Sequence, residues 1–152
     1  ARADAVVWNG AAAMGGEGAA RRLPQFDMRL VGQRFVAVGG EQRNCDADCL
    51  KGRKLYAIAG IGDPRRFFSQ LRALGLEFEA RPFPDHHPYS DADLAFARHG
   101  VLLMTEKDAV KCEPLVTGEA WALPVEAVIT SQPGQPGLLE TILEKLHGRP
   151  PA

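Results

Sequence analysis

Short apolar segments alternate with helical patterns along most of the chain after residue 54, and this alternation limits the possible folds more than any other feature. The predicted strands are four runs of mainly apolar or alternating residues: Lys54–Ala59, Leu76–Phe83, Val101–Thr105 and Ala120–Ile129. Helical patterns follow them, as at Phe67, Leu71 and Leu74. Strands and helices that alternate through short connections form mostly parallel sheets. The sequence therefore predicts an α/β fold, with a mostly parallel sheet flanked by helices in an α/β/α sandwich.

Residues that begin and end helices stand between these strands. Asp63 followed by Pro64 is typical of an N-cap and the first helical position, and Gly75 ends the predicted helix. Ser90 and Asp93 have the spacing of a capping box. A final helical segment has one apolar face and a glycine stop, formed by Leu139, Ile142, Leu143, Leu146 and Gly148.

The first part of the chain is predicted to contain a strand, a loop and a hairpin. Ala5–Trp8 is wholly apolar, as expected of a strand covered on both faces. Residues 10–24 include many glycines, which predicts a loop with a short helical piece. Gln25–Val38 alternates, turns near Gly32 and resumes, which predicts a β-hairpin. A two-stranded ribbon alone is marginal in water, so this hairpin must pack against other structure.

Composition and charge exclude several classes of protein. A formal net charge of −1 and a pI near 6.5 give no basic patch for nucleic acid. No segment approaches the ~18 apolar residues of a membrane-spanning helix, so the chain as given is expected to be soluble. Three cysteines are an odd number, which favours reduced thiols and a cytosolic setting. Cys45 and Cys49 could in principle bind zinc with His86 and His87, but their spacing matches no standard zinc pattern.

Three unusual stretches are predicted to meet at one edge of the sheet. "GIGDP" follows the strand that ends at Ala59, "PDHHPYS" follows the next strand, and "TEKD" begins at Thr105. The carboxyl ends of parallel strands share one edge, and ligands of open α/β sheets bind there. Their convergence is stronger evidence of a site than any one stretch.

Histidines and a carboxylate form the candidate catalytic group. Pro84 and Pro88 restrict the backbone on either side of the pair, so its side chains can be held in one place. An imidazole of His86 or His87 could accept a proton from a hydroxyl near neutral pH. Asp85 could orient that imidazole or favour its charged form, or it could simply form the turn.

The other two stretches supply candidate contacts to a phosphate or carboxylate. The candidate substrate- or nucleotide-binding residues are Gly60, Gly62, Thr105, Glu106, Lys107 and Asp108. Lys107 stands at a predicted helix start, where it could meet an anion or could simply be solvated. The sequence contains no G-x-x-x-x-G-K-[ST] motif, the usual loop that binds the phosphates of ATP.

Three classes of function fit these residues. The first is part of a phosphate-handling enzyme with a histidine base, and the second is a metal phosphoesterase, because "DHH" is a hallmark of one such family. The second class needs further aspartates at strand ends to hold two metal ions, and only Asp46 and Asp48 lie nearby, in a loop. The third class is a free-standing anion-binding module.

Three segments together carry a specific resemblance: 57–94 with "FPDHHPY", 101–112 with "TEKDAVK", and 120–129. The chain resembles the C-terminal half of tetraacyldisaccharide 4'-kinase, the lipid A 4'-kinase of Gram-negative bacteria. Asp63 stands where that family usually has asparagine, and both residues cap helices.

The resemblance implies a division of the chain and a set of partners. Residues 1–22 would be a remnant of an N-terminal kinase domain, 23–54 a two-stranded β linker and loop, and 55–152 the C-terminal α/β/α domain. The absent N-terminal domain would supply the P-loop, a catalytic aspartate, most contacts to ATP and Mg²⁺, and a membrane-associating helix. The complete enzyme would act at the cytoplasmic face of the inner membrane.

The resemblance also implies the reaction. The family transfers the γ-phosphate of ATP to the 4'-hydroxyl of a tetraacylated disaccharide 1-phosphate. A histidine of the "PDHH" motif would pair with the absent aspartate across an interdomain cleft and deprotonate that hydroxyl. His86 is the first candidate and His87 the second. The chain alone is expected to be inactive.

Overall fold

The structure is a computed structural model that describes residues 3–10, 23–41 and 43–147, and these residues form two sheets. The larger sheet contains β3 Arg34–Ala37, β4 Asn44–Asp46, β5 Leu55–Ala59, β6 Glu79–Pro82, β7 Val101–Thr105 and β8 Ala120–Leu123. The smaller sheet contains β1 Val6–Asn9, β2 Gln25–Val31 and β9 Glu126–Ser131. The α-helices are α1 Pro64–Ala73, α2 Asp91–Leu94, α3 Glu106–Cys112 and α4 Leu138–His147.

The larger sheet has the order β4-β3-β8-β7-β5-β6. Strands β8, β7, β5 and β6 are parallel neighbours, whereas β3 runs antiparallel to both β8 and β4. The mostly parallel α/β fold predicted from the sequence is confirmed. Strand β6 lies at the edge and is exposed along its length, which accounts for the alternating rather than continuous apolar pattern before Phe83.

Helices cover both faces of this sheet. Alternate residues of the central strands point to opposite faces, so Ala57 packs with Phe67 and Leu71 of α1, whereas Ile58 packs in the cluster that contains Leu94 and Cys112 of α2 and α3. Strands β5, β7 and β8 are buried at every position. Buried runs of this kind are typical of parallel strands between two helical layers.

The helix boundaries follow the capping residues of the sequence. Pro64 is the first residue of α1, and Gly75 has a φ of 78° just beyond its end. Ser90 donates from its backbone N–H to Asp93 Oδ2 over 2.9 Å at the start of α2. Thr105 Oγ1 accepts from the backbone N–H of Asp108 over 3.2 Å, so it caps α3 as predicted.

The described chain divides into two compact units, and the smaller one contains the three-stranded sheet. In that sheet β1 runs parallel to β2, and β2 runs antiparallel to β9. Exposure alternates along β1, with Val7 40% exposed, so the prediction that Ala5–Trp8 is covered on both faces is wrong for this chain. The predicted apolar face of α4 is also exposed, with Leu139 at 70%.

The hairpin predicted for Gln25–Val38 does not form. Strand β2 pairs with β1 and β9, whereas β3 pairs with β4 and β8 in the other sheet. Gly32 lies where the chain passes between them, and a Cβ atom there would be 2.5 Å from the carbonyl oxygen of Pro124. The local pattern shows that the strand is interrupted at this residue, but it does not show which strand each half pairs with.

The compact units also differ from the boundaries expected from the sequence. One unit takes the described residues of Ala1–Val31 and Glu126–Ala152, and the other is Gly32–Val125. Strand β3, expected in a linker, therefore belongs to the main sheet, and β9 belongs with the first residues. Pro124 separates β8 from β9, as predicted. The predicted loop at 10–24 and the stop at Gly148 lie largely or wholly outside the described residues.

The expectation of reduced cysteines is wrong for two of the three. Cys45 and Cys49 form a disulfide, and Cys112 is free and buried. A 3-10 turn at Ala47–Cys49 follows β4 directly and brings the two Cα atoms to 6.3 Å, within the range that a disulfide spans. Within the described ranges, no helix is both long enough and apolar enough to cross a membrane.

Candidate functional site

The three unusual stretches converge at one edge of the larger sheet, as the topology predicts. They follow the carboxyl ends of β5, β6 and β7, which are parallel. The backbone N–H of Gly60 donates to Asp108 Oδ2 over 3.1 Å, and the backbone N–H of His86 donates to the carbonyl of Gly60 over 3.3 Å. Gly60 therefore connects the other two stretches, one through its backbone N–H and the other through its carbonyl oxygen.

His86 lies in a tight turn with a left-handed backbone conformation. The N–H of His87 donates to the carbonyl of Pro84 over 3.1 Å, which closes a four-residue turn. His86 has a φ of 57° and is the single non-glycine residue of the described ranges with positive φ. A turn whose third residue alone has positive φ is of type II, where glycine or asparagine is usual. Strained backbone of this kind clusters at functional sites.

The imidazole of His86 faces solvent beside a carboxylate. Its side chain is 89% exposed, and its Nε2 lies 3.8 Å from Asp85 Oδ2. That distance is too long for a hydrogen bond. Asp85 instead accepts from the backbone N–H of His86 through Oδ1 over 3.1 Å, so its closest contact supports the turn rather than the ring.

His87 is packed where His86 is open. Its side chain is 23% exposed, and its Nε2 lies 3.3 Å from Asp93 Oδ2. The ring stacks against Phe83 at 4.7 Å and meets the ring of Tyr89 edge-on at 5.0 Å. The contacts of His87 are therefore those of a residue that holds the loop against α2.

Asp108 differs from its expected role. Sequence reasoning placed it among residues that contact substrate or nucleotide, but it is fully buried. Its Oδ2 accepts from the Gly60 N–H and from Thr105 Oγ1, the latter over 2.6 Å. The side chain of Thr105 is 9% exposed, and its hydroxyl bonds with Asp108. Both side chains therefore stabilise this edge of the sheet through buried hydrogen bonds.

Gly62, Glu106 and Lys107 remain accessible at this edge, whereas Gly60 is buried. Lys107 makes no ion pair with any residue that the structure describes. An exposed ammonium group on the same edge as His86 is available to an anionic ligand.

Sequence reasoning missed Tyr89, which stands in the quoted "PDHHPYS" stretch. Its hydroxyl is buried and has no hydrogen-bond partner among the described residues, and the same is true of Asp108 Oδ1. Burial raises the pKa of the Tyr89 hydroxyl, and the Asp108 carboxylate raises it further. Tyr89 therefore remains a hydrogen-bond donor at physiological pH. In the sequence, the one feature that could have marked Tyr89 as a site residue was its position between Pro88 and the start of α2.

The carboxylates at this edge do not form a metal site. The described ranges contain no group of three or more His, Cys, Asp or Glu side chains placed to hold a metal ion. Asp108 is buried against neutral donors, and Asp85 is occupied by its own turn. The residues at this edge that the structure describes therefore do not fit a Mg²⁺ site of their own, and the disulfide removes Cys45 and Cys49 from the zinc set considered above.

Known proteins agree with the resemblance seen in the sequence. Residues 1–147 match the family described as Tetraacyldisaccharide-1-P 4'-kinase. The chain is 52% identical over 127 residues to tetraacyldisaccharide 4'-kinase of Dechloromonas aromatica (strain RCB), covering 83% of this chain and 37% of that protein. It is 52% identical over 134 residues to the enzyme of the same name from Azoarcus sp. (strain BH72), covering 88% of this chain and 37% of that protein.

A solved structure agrees in fold as well as in sequence. It is described as an "apo" form of LpxK from Aquifex aeolicus in complex with ATP, and it superposes with a TM-score of 0.61 at 27% identity over 97% of this chain and 42% of that one. The chain thus spans well under half the length of the relatives it matches. With the family matched from residue 1 to residue 147, the chain belongs to the tetraacyldisaccharide-1-P 4'-kinase family.

Proposed function

We propose that this chain is the C-terminal part of a kinase that transfers the γ-phosphate of ATP to the 4'-hydroxyl of a tetraacylated disaccharide 1-phosphate. The family match and the names of the relatives support the reaction. The observation that carries the role of this part is the exposed imidazole of His86, at the edge where three distant stretches converge. The family match does not favour a metal phosphoesterase or a free-standing binding module.

The proposed role of His86 is to accept the proton of the 4'-hydroxyl. The O–H bond breaks as the proton moves to an imidazole nitrogen, the hydroxyl oxygen forms a bond to the γ-phosphorus, and the bond from that phosphorus to the leaving oxygen of ADP breaks. A histidine is suited to this step because an imidazole can gain and lose a proton near neutral pH. Lys107 would meet a phosphate group of substrate or nucleotide at the same edge.

The rest of the site would come from elsewhere in the complete enzyme. ATP binding is supported by the family and by the ATP complex of the related Aquifex protein. We assign Mg²⁺ and most ATP contacts to the N-terminal part, because the described residues here do not fit a metal site and the sequence has no P-loop motif. We place the whole enzyme at the cytoplasmic face of the inner membrane, where its lipid substrate would be accessible.

The role of His86 is tested in the full-length enzyme with His86→Ala. We expect kcat to fall by roughly 10²- to 10⁴-fold while the KM for ATP changes little, as for loss of a general base. His99→Ala is the matched control, because His99 is an exposed histidine in the turn that precedes β7. A kcat within a few-fold of wild type for His86→Ala would remove His86 from the chemistry.

A second experiment tests whether the chain acts alone. The purified 152-residue chain is incubated with radiolabelled ATP, metal ions and the disaccharide 1-phosphate. We expect neither transfer nor hydrolysis, because the sequence lacks the phosphate-binding motif. Stoichiometric, metal-dependent transfer by the pure chain would contradict the proposal and would favour an independent phosphate-handling activity.

A further inference from the structure

Two polar atoms with no partner meet at Gly60. A Cβ atom built at Gly60 would lie 2.6 Å from the hydroxyl oxygen of Tyr89 and 3.2 Å from Asp108 Oδ1. These are the two buried side-chain atoms of the described ranges that have no hydrogen-bond partner. Because glycine has no side chain, both atoms can approach the same point.

The two groups are complementary. The Tyr89 hydroxyl remains protonated, since burial and the neighbouring carboxylate both raise its pKa. Asp108 is fully buried and carries an acceptor oxygen that nothing else satisfies. An unsatisfied buried carboxylate oxygen is costly, so a donor beside it is expected to pair with it.

Two connections lead from this pair to the turn of His86. Through one, Asp108 Oδ2 holds the N–H of Gly60, and the carbonyl of Gly60 accepts from the N–H of His86. Through the other, the ring of Tyr89 contacts the ring of His87, which is bonded to Asp93. The two connections reach His86 and the residue that follows it.

We propose that Asp108 and Tyr89 are positioning residues, whose hydroxyl-to-carboxylate hydrogen bond, direct or through one water, fixes the turn that presents His86. A left-handed non-glycine residue persists only where its surroundings determine the backbone on both sides. The imidazole of His86 makes no hydrogen bond with any residue that the structure describes, so the constraint comes through its backbone and its neighbour. This inference rests on the proposed role of His86 as the base.

The test uses the full-length enzyme with Tyr89→Phe, which removes one hydroxyl and keeps the ring contacts. We expect kcat to fall roughly 10- to 100-fold, as for a misplaced catalytic group, with the KM for ATP unchanged. The matched control is Tyr56→Phe, because Tyr56 is a buried tyrosine at the opposite end of β5. Asp108→Asn should cause a similar fall in kcat.

A double-mutant cycle separates positioning from stability. In a His86→Ala background, Tyr89→Phe should cause no further loss of kcat, because there is no imidazole left to position. Equal losses in both backgrounds would overturn the inference while leaving His86 as the base. A His86→Ala enzyme with normal kcat would instead refute the proposed function.

Amide hydrogen exchange gives a readout that does not depend on catalysis. The N–H of His86 is held by Gly60 and Asp85. In the full-length Tyr89→Phe enzyme we expect the segment 83–90 to exchange at least several-fold faster, and the same segment to be unchanged in Tyr56→Phe. Unchanged exchange of 83–90 in Tyr89→Phe would overturn the inference whatever the role of His86.

Discussion

Replacing His86 by glycine should stabilise this chain relative to alanine at the same position. His86 has a φ of 57°, a conformation that costs a non-glycine residue roughly 1–2 kcal/mol. Glycine avoids that cost but loses about 0.5–1 kcal/mol more backbone entropy on folding. The imidazole is 89% exposed, so its removal should change stability by no more than about 0.5 kcal/mol. We therefore expect the free energy of unfolding of His86→Gly to exceed that of His86→Ala by about 0.75 kcal/mol, the difference between the midpoints of these two ranges.

The same comparison at His99 should give the opposite sign. His99 is exposed and has no positive φ, so glycine there brings only the entropic cost. We expect His99→Gly to be less stable than His99→Ala by about 0.5–1 kcal/mol. The two pairs share the same chemical changes, so a reversal of sign isolates the backbone conformation of His86.

Unfolding in urea measures both pairs. A Trp8→Phe background leaves Trp121 as the remaining tryptophan of the chain, and Trp121 is buried in the unit that contains His86. Its fluorescence therefore follows the relevant unit. Stability of His86→Gly equal to or below that of His86→Ala would show that the left-handed turn is not maintained in solution and would refute the argument from strain.

Three further changes test the packing around the site. Thr105→Val removes the cap of α3 and should lower the free energy of unfolding by about 1–2 kcal/mol, with Thr105→Ser recovering most of it, as measured by urea unfolding. Glu119 is held by Arg53 over 2.6 and 2.8 Å, which lowers the pKa of the Glu119 carboxyl to about 2. The folded pKa lies below the unfolded value of 4.5, so the pair stabilises the fold above pH 4.5 and this stabilisation is lost as the pH falls toward 2. Because Glu119 is partly exposed, we expect Glu119→Gln to lower the free energy of unfolding by about 1 kcal/mol at pH 7 and by little at pH 2. Gly100→Ala would bring a Cβ atom within 2.6 Å of the carbonyl oxygen of Lys54 and should destabilise by roughly 1–3 kcal/mol, whereas Gly118→Ala meets no atom within 4 Å and should be neutral or slightly stabilising in thermal unfolding.

The parts of the fold predicted correctly depend on local signals. Strand β7 is buried at every position and has a continuous apolar sequence, and α1 begins at the proline that follows Asp63. The hairpin at Gln25–Val38 was wrong because pairing depends on partners far along the chain. Strand β2 pairs with β9, about a hundred residues later, and nothing in the sequence of β2 identifies that partner.

The disulfide and the buried carboxylate show a similar limit. Counting cysteines favours reduced thiols, but the turn at Ala47–Cys49 brings Cys45 and Cys49 together. Asp108 was expected among the residues that contact substrate or nucleotide, but it is fully buried. Only the position of β5 beside β7 shows that Gly60 and Tyr89 enclose it. Both errors concern distances between residues that the periodicity of the sequence does not contain.

The adjacent histidines have different environments because of the turn and not because of their chemistry. His86 is the third residue of the type II turn and its side chain is 89% exposed, whereas His87 is the fourth residue and packs against Phe83. The outward ring has Asp85 as its nearest carboxylate, at a distance that cannot fix its orientation. A base must be oriented to transfer a proton efficiently. In the complete enzyme, we propose that this orientation comes from the aspartate of the N-terminal part that the family resemblance implies.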